Sequence, residues 1–279
     1  MTAHLQRLRT AAWLGWQIES NWADGLTFAV YTLIRPIGTA LILGGMYWAV
    51  GGAARPELFA GFYVANAVHE YVARVLVGMG WVVVEEREEY ETLRLVYTSP
   101  IGMMTYLTGR ASVKFGLATF TGLLVLLLGW FVLGVRWEWS AVRWIPLAVA
   151  FVLTLASTLF LGFLVAGLAL NLPRIAVSMN EGLAVGLYLF CGVIFPVDLM
   201  PHGLREMAFV LPFTYGYEAI RRFLLGEGSS AILGRLSDPQ LLGLLTLTAA
   251  AMSLVAHQGY HVLERRARRT GKLDQTTLF

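Results

Sequence analysis

Residues Glu85–Pro100 read EEREEYETLRLVYTSP and form a charged stretch between two long apolar runs. The first seven residues, Glu85–Glu91, carry five of the 18 acidic groups in the chain. Most residues up to Tyr97 are good helix formers, and the Ser99-Pro100 pair is typical of a helix stop. We therefore predict one short helix here, flanked by segments that are far more apolar.

Three residues of this helix share one face. Tyr90, Leu93 and Tyr97 recur at i, i+3 and i+7, which gives the helix a small aromatic and apolar side. Such a face fits a groove on a partner better than it fits water, and the alternative is a solvated loop with helical tendency. The docking hypothesis covers the face and its charged surroundings, namely Glu85, Arg87, Glu88, Glu89, Tyr90, Glu91, Leu93, Arg94, Tyr97 and Pro100.

The composition of the whole chain indicates an integral membrane protein. Of its 279 residues, 57% are hydrophobic and 14% are charged, whereas a soluble domain carries about 25% charge. A single cysteine, Cys191, excludes a disulfide framework and a cysteine-based metal site. The net charge of +3 lies in patches and bears on membrane topology more than on nucleic acid, so we expect no nucleic-acid partner. The first 25 residues show no signal-peptide pattern.

Six apolar segments are long enough to cross a bilayer, which needs about 20 residues per helix. They are approximately Leu26–Val50, Leu58–Val84, Phe115–Val135, Trp144–Leu170, Met179–Val197 and Leu241–Leu263. With both termini in the cytoplasm, 12 of the 21 lysines and arginines fall inside and seven outside. This bias favours a six-helix, multi-pass protein of the cell membrane with cytoplasmic termini.

The residues before the first span have their own pattern. Leu5, Leu8, Ala12 and Trp16 recur at helical spacing, with Trp13 and Trp22 nearby. This predicts an amphipathic helix within residues 1–25 that lies in the membrane interface, and the alternative is a plain cytoplasmic lead-in. Residues 26–279 then form the membrane domain, with a short disordered tail over Thr270–Phe279.

The segment 198–240, between the fifth and sixth spans, is too apolar for an ordinary loop. It contains two short mixed segments interrupted at Pro201 and Pro212 and ending near Gly226. We predict two short re-entrant or interfacial helices on the extracellular side, and the alternative is a surface-lying decoration.

The second predicted span carries polar residues at helical spacing. Asn66, Glu70 and Arg74 share one face, His69 is adjacent, and Arg35 of the first span is a possible partner for Glu70. Charge at this depth is costly unless it is paired. Two interpretations stay open: the stripe lines a translocation path, or it clamps neighbouring helices.

Motifs for chemistry are weak or missing. His257 and His261 have metal-ligand spacing, but no glutamate follows His257 and the pair lies where a span meets water, so we predict no metal site. Neither lysine, Lys114 or Lys272, has the context of a phosphate-binding P-loop. We therefore predict no catalytic residues and no cofactor on this chain.

The layout resembles the membrane-spanning permeases of type-2 ABC transporters. The family pattern E-x-G-T-L-E-x-L-x-x-(S/T)-P is matched before the third span by Glu89, Thr92, Leu93, Ser99 and Pro100, with Val96 in place of leucine. Two positions depart from it, because Glu91 replaces glycine and Arg94 replaces glutamate. A second match follows the fifth span and comprises Phe195, Pro196, Pro201, Leu211, Pro212, Thr214, Tyr215, Glu218, Ala219 and Arg221.

The resemblance implies that residues 85–100 act as a coupling helix on a separate ATP-binding cassette subunit, which would bind ATP and magnesium. It also implies two permease copies or paralogues with the pathway between them, and export of a drug, lipid or glycan-type molecule. The alternative function is an ion- or proton-coupled transporter with His69 and Glu70 as proton carriers. A membrane enzyme is a weaker third possibility.

Overall fold

The computed structural model describes residues 2–21, 23–49 and 56–273. Trp22 of the predicted interfacial helix, Val50 of the first predicted span and residues 274–279 of the predicted tail lie outside this range. All regular structure in the described residues is helical. The α-helices are α1 Thr2–Ser20, α2 Gly25–Ala49, α3 Pro56–Val84, α4 Leu93–Thr98, α5 Met103–Phe131, α6 Trp144–Asn171, α7 Pro173–Phe190, α8 His202–Val210, α9 Pro212–Leu225, α10 Ala231–Gly234 and α11 Asp238–Arg269.

Five of the described helices are long and apolar enough to cross a membrane. They are α2, α3 with its continuation to Glu89, α5, α6 and α11. Length and composition thus confirm an all-α membrane protein. The helix that corresponds to the fifth predicted span, α7, is not among the five.

The bounds of α7 differ from the predicted span Met179–Val197. The helix begins six residues earlier, at Pro173, and ends seven residues earlier, at Phe190. Proline is favoured at the first position of a helix because its missing N–H has no helical partner there. Gly192, with φ of 80°, lies in the left-handed region just after the helix end, which turns the chain away from the helix axis.

Helix α5 begins 12 residues before the predicted start at Phe115. Its first turns contain Arg110 and Lys114. Because charged residues are unfavourable in a membrane span, the sequence pattern placed the start of the span after them. In the fold both cations bind acidic side chains of other helices, Arg110 at Glu85 and Lys114 at Glu19. Paired in this way, the two charges no longer oppose a continuous helix.

The helices run back and forth, so the bundle has two ends. One end carries residues 85–100 together with the C-terminal ends of α6 and α11, and we name it the Glu85 end. The other end carries α9 and the connection after α7, and we name it the Arg221 end. The largest apolar cluster surrounds α3, α7 and α9 in the bundle, while a second lies at the Glu85 end.

Candidate functional site

The chain does not leave α3 at Val84 but continues through a π-helical turn, Glu85–Glu89. Three charged residues of this turn are buried: Glu86, Arg87 and Glu88 are 3%, 2% and 9% exposed. The docking hypothesis counts Arg87 and Glu88 among the charged surroundings of the apolar face, whereas both side chains are buried, and it does not include Glu86. Their charges are satisfied by other helices, which sequence spacing does not reveal.

A break at Glu91 divides the predicted single helix. Glu91 has a φ of 53°. Among the described residues, it is the single non-glycine residue with a positive φ. The N–H of Thr92 then donates to the carbonyl oxygen of Glu86 at 2.8 Å, and the Thr92 hydroxyl donates to the Glu86 carboxylate. The chain thereby turns back before α4 begins at Leu93. The family glycine at this position suits the left-handed conformation, which glycine adopts without steric cost.

The predicted face of Tyr90, Leu93 and Tyr97 does not form a single surface. Leu93 is 2% exposed and belongs to the apolar cluster at the Glu85 end, because α4 packs that side inward. Tyr97 packs against the same cluster and lies under the Arg268 guanidinium, 4.6 Å from its ring centre. Of the three residues, only Tyr90 is exposed.

Another set of residues faces outward instead, and we name it the exposed patch. It consists of Glu89, Tyr90, Glu91, Arg94, Leu95, Thr98 and Pro100. Leu95 belongs to this patch and is 65% exposed, although the sequence pattern did not single it out. Glu91, Leu95 and Thr98 recur at i, i+4 and i+7, and this spacing could have indicated the exposed side. It competes with the spacing of Tyr90, Leu93 and Tyr97, which is more apolar.

A buried network fastens the π-helical turn to α5. Arg110 donates to Glu85 at 2.6 Å and to Glu86 at 3.1 Å. The Tyr106 hydroxyl also donates to Glu86. Arg110 is 1% exposed, so it is desolvated and depends on these acids. These contacts join the turn and α5 into one packed unit.

Helix α1 joins this unit through small residues and one ion pair. Ala11 and Gly15 are the buried positions of α1 and lie against Gly109 and Arg110 of α5. Lys114 of α5 forms an ion pair with Glu19. Of the apolar residues that suggested an interfacial helix, Leu5, Trp13 and Trp16 are exposed, whereas Leu8 and Ala12 are partly buried.

Two further contacts bring α6 and α11 to the segment. Arg87 donates to the carbonyl oxygens of Ala169 and Leu170, at 3.4 and 3.3 Å, in the last turn of α6. Lys272, just after α11, donates to the carbonyl oxygen of Asn171 at 2.7 Å. The carbonyl groups of the last helical turn have no N–H partner within their own helix, so these side chains supply the missing donors. Their positive charge also offsets the helix dipole.

The phenols of the segment are held neutral. Burial and nearby Glu264 raise the pKa of Tyr97 above its ordinary value. Partial burial and the neighbouring Glu89 raise the pKa of Tyr90. Both side chains are therefore uncharged over the physiological pH range.

The polar stripe of α3 splits into two parts. Asn66 accepts a hydrogen bond from the Tyr188 hydroxyl of α7 at 2.9 Å. His69 Nδ1 lies 2.8 Å from the Tyr217 hydroxyl of α9. These two residues are buried and join three helices, which is the geometry of a clamp.

The other part of the stripe lines a groove of about 550 Å³. Arg35, Glu70 and Arg74 line the part of the groove that is farther from the Glu85 end, which we name its deep end, and Glu85, Glu89 and Tyr90 line it toward the Glu85 end. Among the described residues, no ion pair within 4.0 Å joins Glu70 to either arginine. The helical pair Glu70–Arg74 that the sequence allows is therefore not formed.

At the Arg221 end, Arg221 organises the chain around α9. It is 2% exposed and donates to the carbonyl oxygens of Gly61 at 2.8 Å and Val193 at 3.0 Å. It also donates to the Ser229 hydroxyl at 2.7 Å and lies 3.7 Å from Glu218. Glu218 in turn accepts from the N–H groups of Ser229 and Ser230, both at 3.1 Å. These residues hold connections together and are not presented to a ligand.

The remaining candidates at this end shape the backbone. Pro196 and Pro201 precede a 3-10 turn and α8, and Pro212 starts α9. The Tyr215 hydroxyl donates to the carbonyl oxygen of Phe209 at 2.9 Å, linking α9 back to α8. Helix α9 ends at Gly226, which has φ of 87°. The two breaks expected at Pro201 and Pro212 coincide with helix starts, and α9 is buried along nearly its whole length.

The histidine pair of the last span lies on α11. The rings of His257 and His261 are 4.6 Å apart, and His261 lies 3.6 Å from Glu264. Within residues 2–21, 23–49 and 56–273, no group of three or more His, Cys, Asp or Glu side chains is placed to hold a metal ion.

Comparison with known families identifies the chain. The family described as ABC-2 type transporter matches residues 9–225, which include α2 to α9 and therefore both the exposed patch and the Arg221 end. No curated protein sequence matches the chain. Membrane-crossing helices over the same residues agree with the membrane domain of such a transporter. With more than half of its length matched, the chain belongs to the ABC-2 type transporter family and is a membrane permease of that family.

Proposed function

We propose that this chain is the membrane-spanning subunit of an ATP-driven exporter, with ATP and magnesium bound by a separate ATP-binding cassette subunit. The observation that carries the proposal is the exposed patch. It places an apolar side chain, Leu95, and a phenol, Tyr90, among charges of both signs. A protruding apolar residue surrounded by a polar rim is typical of a docking surface.

The contacts behind the patch support transmission of force. The π-helical turn is bonded to α5 through Glu86 and to α6 through Arg87, while Tyr97 of α4 lies under α11. A push on the patch therefore acts on three membrane-crossing helices together. Packed elements of this kind shift as rigid bodies, which is how domain motions are usually produced.

We place the Glu85 end and both termini in the cytoplasm, and α8 and α9 on the extracellular side of the cell membrane. The excess of lysine and arginine on the side of the termini supports this orientation. In this arrangement α7 is the sixth crossing, because its 18 residues extend about 27 Å at 1.5 Å per residue. Residues 1–25 lie in the interface and residues 26–279 form the permease domain.

Two permease copies, or two paralogous chains, would enclose the pathway, as the family implies. Only 17% of the most apolar stretch of α2 is buried within one chain. Its exposed apolar residues are therefore available to contact a second permease or lipid in the membrane. A drug, a lipid or a glycan-type molecule is the proposed cargo class.

The test is purification of the tagged, full-length chain from its native membrane in mild detergent, followed by an ATPase assay. We expect an ATP-binding cassette protein in the eluate, ATP hydrolysis by the complex, and none by the chain stripped of its partner. Leu95→Asp should lower recovery of the partner at least about tenfold, the effect of one buried anchor residue at an interface.

Leu199→Asp is the matched control, because Leu199 is also exposed, at 74%, but lies at the Arg221 end. This variant should retain the partner and its ATPase activity. If Leu95→Asp kept the partner and coupled hydrolysis at the level of Leu199→Asp, the docking assignment would be wrong.

A further inference from the structure

The groove beside α3 has an excess of positive charge at its deep end. Seven of its lining residues carry a charge at neutral pH: Glu19, Arg35, Glu70, Arg74, Glu85, Glu89 and Lys114. Lys114 pairs with Glu19, and Glu85 pairs with Arg110 from outside the groove. Among the described residues, Arg35, Arg74 and Glu70 at the deep end form no salt bridge within 4.0 Å. With the Glu19–Lys114 pair included, three cations therefore face two anions at this end of the groove.

The depth of this excess charge makes it costly. Arg74 precedes Glu85 by 11 helical residues, so it lies about 16 Å along α3 from the Glu85 end. The Arg74 Nε atom is sealed from water, and it has no hydrogen-bond partner among the described residues. A guanidinium at this depth is unfavourable unless an anion approaches it.

Part of the groove wall is apolar, and the groove is open. Phe28, Val77, Trp81 and Leu117 line its walls beside the two arginines. Arg35 itself is exposed on α2, so the groove can be reached from the side of the bundle. Its volume lies within the range of about 300–1,000 Å³ that is typical of small-ligand pockets. A ligand that fits these surfaces has an anionic head and an apolar body.

We infer that Arg35 and Arg74 bind the phosphate group of an anionic amphiphile within one chain, with its apolar part against Trp81 and Val77. Phosphate is favoured because guanidinium groups donate paired hydrogen bonds to its oxygens. Glu70 repels the same phosphate and so lowers the affinity. The ligand therefore dissociates more easily than it would from a site with the two arginines alone. The site adds to the proposed export function but requires neither the ATPase subunit nor a second copy.

The experiment uses the full-length chain alone in dodecyl maltoside, without nucleotide. Native mass spectrometry and thermal unfolding are recorded while dioleoyl phosphatidylglycerol is added. Dioleoylglycerol, which has the same chains but no phosphate, and inorganic phosphate are tested in parallel. We expect retention of the phosphatidylglycerol and a raised Tm, and neither effect with the other two probes.

Variants of the two signs make the inference falsifiable. Arg35→Gln and Arg74→Gln should each weaken phosphatidylglycerol binding about tenfold, whereas Glu70→Gln should strengthen it. Arg136→Gln, at the Arg221 end, is the control and should leave binding unchanged. Should Arg74→Gln fail to fold, Arg35→Gln and Glu70→Gln still give opposite expectations. Equal binding of dioleoylglycerol, equal protection by inorganic phosphate, or unchanged binding in Arg35→Gln and Glu70→Gln would each overturn the assignment.

A failed result here leaves the proposed function intact, because partner recovery depends on Leu95 and not on the groove. Conversely, loss of the ATPase partner would not alter lipid retention by the chain alone.

Discussion

Arg87 Nη1 lies 3.3 Å from the carbonyl oxygen of Leu170, so the π-helical turn after α3 is bonded to the C-terminal end of α6. The same guanidinium pairs with the neighbouring Glu88 at 2.9 Å. Both side chains are buried, and a charge in that setting is stable only with its partners in place. The contact turns a local backbone irregularity into a joint between two membrane-crossing helices.

Removal of one member of this pair should destabilise the bundle. Arg87→Met removes the cation that pairs with the buried Glu88 and the donor to the α6 carbonyl groups, so we expect a loss of about 3–5 kcal/mol in the free energy of unfolding. Arg87→Met combined with Glu88→Gln should recover part of the loss. Unfolding in mixed detergent and dodecyl sulfate micelles measures both. Arg94→Met, on the exposed side of α4, is the control and should change stability by no more than about 0.5 kcal/mol. Equal losses in Arg87→Met and Arg94→Met would contradict the joint.

The backbone at Glu91 predicts a stabilising substitution. A non-glycine residue in the left-handed region costs about 1–2 kcal/mol, while glycine loses about 0.5–1 kcal/mol of chain entropy. Glu91→Gly should therefore raise the free energy of unfolding by about 0.5 kcal/mol, and Glu91→Val should lower it. Thermal unfolding of purified protein checks the sign. The control is Glu89→Gly in the preceding helical turn, where glycine has no such advantage and Tm should fall. A fall in Tm for Glu91→Gly as well would show that its positive φ carries no strain.

Close packing at Gly109 predicts that the addition of one methyl group at this position displaces α1. A side-chain carbon at Gly109 would approach the backbone of Ala11 and Ala12 to 2.7 Å, and overpacking of this kind costs about 1–3 kcal/mol. Gly109→Ala should speed amide hydrogen exchange across α1. Gly116→Ala lies on the same helix with open space around it, and should leave exchange in α1 unchanged or slower. If the two variants gave the same exchange rates, α1 would not be anchored at this point.

The Arg221 end predicts a strict requirement for one arginine. Arg221→Met removes donors to Gly61, Val193 and Ser229 and leaves Glu218 without its nearest cation. We expect a loss of about 3–5 kcal/mol and aggregation during size-exclusion chromatography. Arg221→Lys should retain part of the stability, because an ammonium group supplies charge without the planar fork of donors.

A matched control for this arginine lies in the same segment, 198–240. Arg235 is exposed, so Arg235→Met should elute and unfold like the unaltered protein. Normal stability of Arg221→Met would mean that the hydrogen bonds around α9 are replaced by water.

Sequence patterns alone determined the class of the protein and much of its layout. Continuous apolar runs predicted the all-α membrane protein, and Pro212 and Gly226 predicted the limits of α9, because these signals act through local backbone geometry. The motif around residues 85–100 also pointed to the family. Such features depend on residues close in the chain, so they can be read without knowledge of the fold.

Only the tertiary structure decided which side of residues 85–100 faces outward. Leu93 is buried and Leu95 is exposed, although the spacing of Tyr90, Leu93 and Tyr97 predicts the reverse orientation for the apolar face. The structure likewise separated Asn66 and His69, which join helices, from Glu70 and Arg74, which line the groove. The physical reason is that burial and ion pairing depend on partners far away in the chain: Glu86 meets Arg110 and Arg87 meets Leu170 only when α3, α5 and α6 are packed together.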